Sequence, residues 1–297
     1  MAKDKILKKN KRQDVIWGWI FVLPMLIGLL TTNIIPIGVT IYQSFFKTGD
    51  FGRGNVFVGF DNYKAVLGNS ELWRTLFNTL VYMVVEVPIS IVIGLVLATM
   101  LNQSIKGRGI YRAIFFIPTV AAPSAVAMIW RWLLNSDYGL VNNLLNIKVN
   151  WLSNPDITII TIALVGVWTV LGYNIVIFLA GLQEIPHDYY EAAEIDGATS
   201  IKTFLYITVP LMSPSIFFVC ITRIIAALKV FELIYMMVDV SNPALKNTQS
   251  LVYLFYRYTF TEKNTGYGAT VAVVLLIITL MITAMQLKMQ KKWVHYE

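Results

Sequence analysis

A chain of 297 residues that is 57% hydrophobic and only 14% charged, with a mean hydropathy of +0.63, is not an ordinary soluble domain; there, about a quarter of the residues are charged. Its single cysteine, Cys220, excludes an internal disulfide, and one cysteine with two histidines leaves little for a transition-metal site. The net charge of +7 reads as membrane topology rather than nucleic-acid binding, because Lys and Arg collect on the cytoplasmic side of membrane proteins.

Residues 1–14 form a basic N-terminal segment. Six apolar stretches follow, each near or above the ~20 residues that a spanning helix needs. The first, 15–46, is too long for one straight span and is interrupted by Pro24 and Pro36. No small-x-small cleavage site follows it, so it reads as an uncleaved anchor. The others are 76–101, 113–134 with Pro118 and Pro123, 157–181, 211–238 and 268–287. A tail, 289–297, closes the chain. This pattern predicts an all-α integral membrane protein with one transmembrane domain over 15–288.

With the N-terminus inside, thirteen basic residues fall on the inner side, eight on the outer side and three within spans. Both termini are therefore expected to be cytoplasmic in a multi-pass cell-membrane protein. Outer loops fall at 47–75, 135–156 and 239–267. Trp130, Trp132, Trp151, Tyr253, Tyr256 and Tyr258 gather near their edges, as interfacial aromatics do.

Between the fourth and fifth spans lies "IPHDYYEAAEIDGATSIKTFLYITVP", the inner segment 186–210 preceded by Ile185. Its acids Asp188, Glu191, Glu194 and Asp196 suit the positive end of a short helix. Asp188 is placed to cap that helix, with Glu191 at capping-box spacing. Gly197 suits a turn of positive φ. Thr199 or Ser200 can cap a second helix, expected to stop at Pro210. The element displays Ile195, Phe204 and Ile207 beside its acids. It predicts a helix–turn–helix able to fit a groove on a soluble partner.

Five charges fall within spans: Glu86, Arg131, Arg223, Lys229 and Glu232. Such charges usually face the bundle interior or water. Lys229 and Glu232, three residues apart, are expected to pair on one helix face. Arg223 points elsewhere, toward a cavity or a partner. Glu86, beside Pro88, is read as structural, answering a basic residue on another span. Arg131 is placed to snorkel outward. In the fourth span, Gly172 permits close approach, Tyr173 offers stacking and a hydroxyl, and Asn174 both donates and accepts. A sugar needs those chemistries, although helix packing would use them too. Nothing here holds nucleotide: "KGRGIYR" at 106–112 lacks the phosphate-loop spacing.

The segment at 191–210 resembles the EAA motif of ABC importer permeases, matching at Glu191, Ala192, Ala193, Gly197, Ile207 and Pro210, with Val209 in place of the usual leucine. "WGWIFVLPMLIGLL", "YRAIFFIPTVAAPSAVAMIWRWLLN" and "VFELIYMM" extend the likeness to the carbohydrate-uptake branch. The resemblance implies the six-helix type I importer fold, in a prokaryotic cell membrane. It implies a second related permease, two ATPase subunits holding ATP and Mg, and an external sugar-binding protein. No cofactor is implied in this chain. By position it implies ATPase coupling through Asp188, Glu191, Ala192, Ala193, Asp196, Gly197, Ala198, Phe204, Ile207 and Pro210. Substrate contacts would come from Leu171, Gly172, Ile175, Arg223, Ala226, Ala227 and Val230, joined by Tyr173 and Asn174. Alternatives are a permease for an acidic or phosphorylated sugar, which Arg223 would suit, an ion-coupled secondary transporter, or an integral membrane enzyme.

Overall fold

An apolar chain satisfies its backbone in lipid only as helix or closed barrel. The computed structural model, which describes residues 2–48, 55–103 and 106–293, takes the helical solution. Helix α1 (Ala2–Leu29) runs through a π-helical turn at Leu30–Ile34 into α2 (Ile35–Gln43). The stretch Val15–Gln43 is one apolar span. Pro24 rides inside α1 and Pro36 sits in the first turn of α2, so the expected interruption is a local widening rather than a break. A proline at a helix start lacks only a donor that would be spare there.

The loop after the first span is not featureless. Strands β1 (Phe46–Thr48) and β2 (Asn55–Phe57) pair antiparallel, with Phe46 opposite Phe57, and α3 (Asp61–Leu67) follows. Buried Asn62 donates to the carbonyls of Ser44 at 2.8 Å and Phe46 at 2.9 Å, fastening the ribbon to the end of the first span. Arg53 lies outside the described residues.

Helix α4 (Ser70–Asn102) is unbroken over 33 residues despite Pro88. Asn69 caps it, accepting from the Glu71 N–H at 2.9 Å. The third span is two helices, α5 (Arg108–Val120) and α6 (Pro123–Leu133), bent by 100°. Pro123 begins the second, which corrects the continuous 113–134 span. After α7 (Leu140–Leu145), α8 (Thr158–Glu184) returns as the principal partner of α4.

Helices α9 (Asp188–Ile195) and α10 (Ser200–Thr203), a π-helical turn at Phe204–Thr208 and α11 (Val209–Leu211) form the next connection. A 68° bend then leads into α12 (Ser213–Leu228). The fifth span stops there, and α13 (Glu232–Met237) is a separate helix, which corrects the single 211–238 segment. Helix α14 (Leu251–Tyr256) and a π-helical turn at Arg257–Thr261 lead to α15 (Thr265–Trp293). The tail is helical through Trp293, and its last four residues lie outside the described set. Four helices and two bent pairs are long and apolar enough to cross a membrane, which makes six spans when each pair counts once.

The core has three apolar clusters. Tyr82, Ile162, Ala227 and Ile234 are buried toward one half; Leu95, Phe178, Met212 and Val219 toward the other; Leu72, Leu254 and Val271 where α4 meets α14 and α15. The first span has no buried residue in its most apolar stretch.

Candidate functional site

Two polar regions stand out from the apolar bundle, and helix α4 serves as a ruler between them. The first is the 188–211 element. Helix α9 begins at Asp188, with His187 as the residue before it; the His187 carbonyl accepts the N–H groups of Tyr190 at 2.9 Å and Glu191 at 3.1 Å. Asp188 is therefore the first helical residue and not the cap, a shift of one residue from expectation. Asp188 and Glu191 still lie in the positively polarised first turn.

Gly197 has φ +70° and ends the helix. Its N–H donates to Glu194 O at 3.0 Å, and the Ala198 N–H donates to Ala193 O at 2.9 Å. This is the left-handed closure that a Cβ would strain. Thr199 caps the next helix, its hydroxyl accepting from the Lys202 N–H at 3.5 Å. That helical run passes Pro210 to Leu211 before turning at Met212. The wider π turn at 204–208 accommodates the missing proline donor.

The exposed surface of the element differs from the expected one. Ile195 is 86% exposed, and Ile201, Leu205 and Tyr206 are exposed as well. Phe204 is half-buried against the Leu95–Phe178 cluster, and Ile207 and Pro210 are half-buried too. Asp188, Glu191, Ala192, Asp196 and Gly197 face outward, Ala193 is buried and Ala198 is half-buried. A cleft of ≈ 710 Å³ separates the element from the bundle, with Asn102 of α4, Gln183, Tyr190 and Glu194 on its walls.

The second region lies on the same α4 helix, about 26 Å from Thr99 to Tyr82 at 1.5 Å per residue. Glu86 is fully buried, and Arg223 of α12 donates to its Oε1 through Nη2 at 2.7 Å and Nε at 3.2 Å. Glu86 Oε2 has no partner. The Arg223 side chain, 15% exposed, opens on a cleft of ≈ 510 Å³ that Tyr82, Tyr173, Lys229, Val230 and Glu232 also line.

Lys229 and Glu232 do not form the expected ion pair. Helix α12 ends at Leu228 with Lys229 as its C-cap, and the Val230 carbonyl accepts the Ser250 hydroxyl at 2.5 Å instead of an intrahelical bond. With the helix interrupted, three residues no longer means one face. The basic residue that answers Glu86 is Arg223.

Of the nine substrate candidates, Tyr173, Arg223 and Val230 line this cleft. The others point elsewhere, because consecutive residues of a helix face different directions. Leu171 and Ile175 pack into the α4–α8–α12 core. Gly172 is pressed against α5, where a Cβ would fall 2.6 Å from the Phe115 carbonyl oxygen. Asn174 is fully buried over Gly94, with neither side-chain polar atom partnered. Ala227 is buried in the core and Ala226 is exposed outside the cleft. Sequence reasoning missed Tyr82, Thr119, Thr169, Val170 and Phe231 on the cleft wall. Thr169 and Val170 were within reach of it, since they precede Tyr173 by one helical turn. Arg131 pairs with Asp239 rather than standing alone at the bundle end. Among the described residues, no group of three or more His, Cys, Asp or Glu side chains could hold a metal ion.

A multi-spanning bundle with a polar cleft halfway along it is the architecture of a membrane permease. Residues 90–293 match the family described as "Binding-protein-dependent transport system inner membrane component", and the chain belongs to that family. It is 35% identical to the "Probable ABC transporter permease protein YesP" of Bacillus subtilis, over 98% of this chain and 96% of that protein. It is 34% identical to the "Trehalose/maltose transport system permease protein MalF" of Thermococcus litoralis, over 96% and 97% respectively. Its fold matches a chain of a bacterial ABC transporter involved in the import of the acidic polysaccharide alginate, with a TM-score of 0.82 at 21% identity, over 97% of this chain and 99% of that one. The chain is thus a multi-pass transport subunit of the cell membrane and not an enzyme.

Proposed function

We propose that this chain is one of two permease subunits of a binding-protein-dependent sugar importer, and that its 188–211 element seats in an ATPase subunit. The carrying observation is that element: a capped helix–turn–helix at one end of the bundle, with Ile195, Ile201, Leu205 and Tyr206 uncovered. Uncovered apolar side chains rimmed by acids suit a groove on a soluble protein. In this reading residues 15–288 form one permease domain, and both basic ends and the 186–210 segment are cytoplasmic. The excess of thirteen basic residues over eight supports that orientation.

Closure of the ATPases moves the element as a rigid handle, and the spans that flank it tilt to open the cleft on alternate sides. An external binding protein delivers the sugar. A neutral oligosaccharide fits the cleft better than an acidic one. Arg223 is already answered by Glu86, and Lys229 and Glu232, which both line the cleft without pairing, cancel in net charge.

The test places a cysteine at Ile195 in a Cys220→Ser background and seeks a crosslink to the ATPase subunit of the assembled transporter. A crosslink is expected. Its absence in assemblies that still transport overturns the docking assignment. Gly197→Val, which strains the left-handed turn, is expected to leave ATP hydrolysis running while uptake falls at least about tenfold.

A further inference from the structure

Next to the Arg223 cleft lies a second one. Phe231 lines the first. Its ring stacks on Tyr235 at 5.1 Å with 27° between planes, and lies 5.1 Å from Tyr256 and 6.1 Å from Tyr253. Those three tyrosines line a cleft of ≈ 480 Å³ together with Glu71, Gln249 and Arg257. Glu71 stands eleven residues before Tyr82 on α4, a rise of about 16 Å, so the two clefts follow one another along the ruler. The 188–211 element lies beyond the far end of that helix.

The chemistry of this second cleft is specific. An aromatic face carries negative charge density, to which the polarised C–H groups on one side of a pyranose ring are complementary. The Tyr235 and Tyr256 hydroxyls lie 3.4 Å apart at the rim, where both donate and accept. Arg257 forks onto Glu71, Nη1 to Oε1 at 2.7 Å and Nη2 to Oε2 at 2.5 Å, and Gln249 Nε2 donates to Glu71 Oε1 at 3.1 Å. The Glu71–Arg257–Gln249 part of the wall is therefore preorganised and charge-compensated, with Lys246 exposed at its edge, and it offers fixed polar partners for sugar hydroxyls. Tyr253 is buried and Tyr235 is 39% exposed, so the fan is anchored on one side and open on the other.

We propose that Phe231, Tyr235, Tyr253 and Tyr256 form an outer carbohydrate subsite, which stacks one pyranose unit and passes it across Phe231 into the Arg223 cleft. The assignment rests on the sugar-importer reading above. It makes Phe231 the partition between a receiving site and the site midway along the bundle.

The test uses the transporter assembled with its partner subunits in nanodiscs free of glycoside detergent. Trehalose, maltose and lactose are the probes. Saturation-transfer NMR, irradiating aromatic protons, reads contact between tyrosine rings and sugar without the binding protein. The wild type is expected to transfer to a probe that the complete system takes up. Tyr235→Ala combined with Tyr256→Ala is expected to weaken binding about fivefold or more, whereas Tyr235→Phe, which keeps the ring, changes it less than about twofold. Unchanged transfer in the double variant, or no transfer in a wild type that imports a probe, overturns the subsite and leaves the importer reading standing. If the complete wild-type system imports none of the three, the sugar reading for these glycosides fails and the subsite fails with it.

Discussion

Two ion pairs join α4 to distant parts of the chain, and they are built on different principles. Glu86 is wholly buried, receives both Arg223 contacts on one oxygen and keeps the other unpartnered. Glu71, fifteen residues earlier, meets Arg257 with both oxygens in a fork, and each side chain is 27% exposed. The first depends on its partner because nothing else can solvate the carboxylate; the second retains water as an alternative. A charge in this protein matters in proportion to how completely the bundle has taken water from it.

That comparison is most readily broken at Arg223. Arg223→Leu strands a buried carboxylate, and an expected loss of about 3–5 kcal/mol follows from removing one partner of a buried pair. Thermal unfolding of the detergent-solubilised chain measures it. The double change Arg223→Leu with Glu86→Leu should recover most of the loss, because a well-packed apolar replacement is often neutral. A double variant as unstable as the single one would show that packing around the guanidinium, not the charge, is what matters.

Arg257→Gln sharpens the contrast from the other side. Glu71 retains Gln249 and partial solvent, so the expected cost is only about 1 kcal/mol by the same measurement. The smallest effect belongs to Arg131 and Asp239, both about half exposed. Arg131→Gln should cost less than about 0.5 kcal/mol, and the difference from wild type should vanish near 1 M salt, where exposed charges are screened within about 3 Å.

How far the sequence reveals these features depends on how local their causes are. The 188–211 element was legible because its signals act within a few residues: Gly197 permits the turn, and Thr199 caps the helix three residues before its bonded N–H. Apolar length alone pointed to the stretches that form the four continuous spans, but not to the breaks in the third and fifth. The break at Lys229 was not legible, since "LKVFEL" contains neither Gly nor Pro. The Ser250 hydroxyl, twenty residues on, takes the Val230 carbonyl. Arg223 and Glu86 are 137 residues apart, and no periodicity links them. Tyr253 and Tyr256 read as interfacial aromatics until α13 and α14 bring Tyr235 and Phe231 against them.

Glu86 also stands close to the midpoint of α4, about 22 Å from Glu71 and about 24 Å from Asn102. A beam held at its centre swings its two tips in opposite senses. A tilt of this helix about the Arg223 fastening would carry its tyrosine end and its Asn102 end in opposite senses.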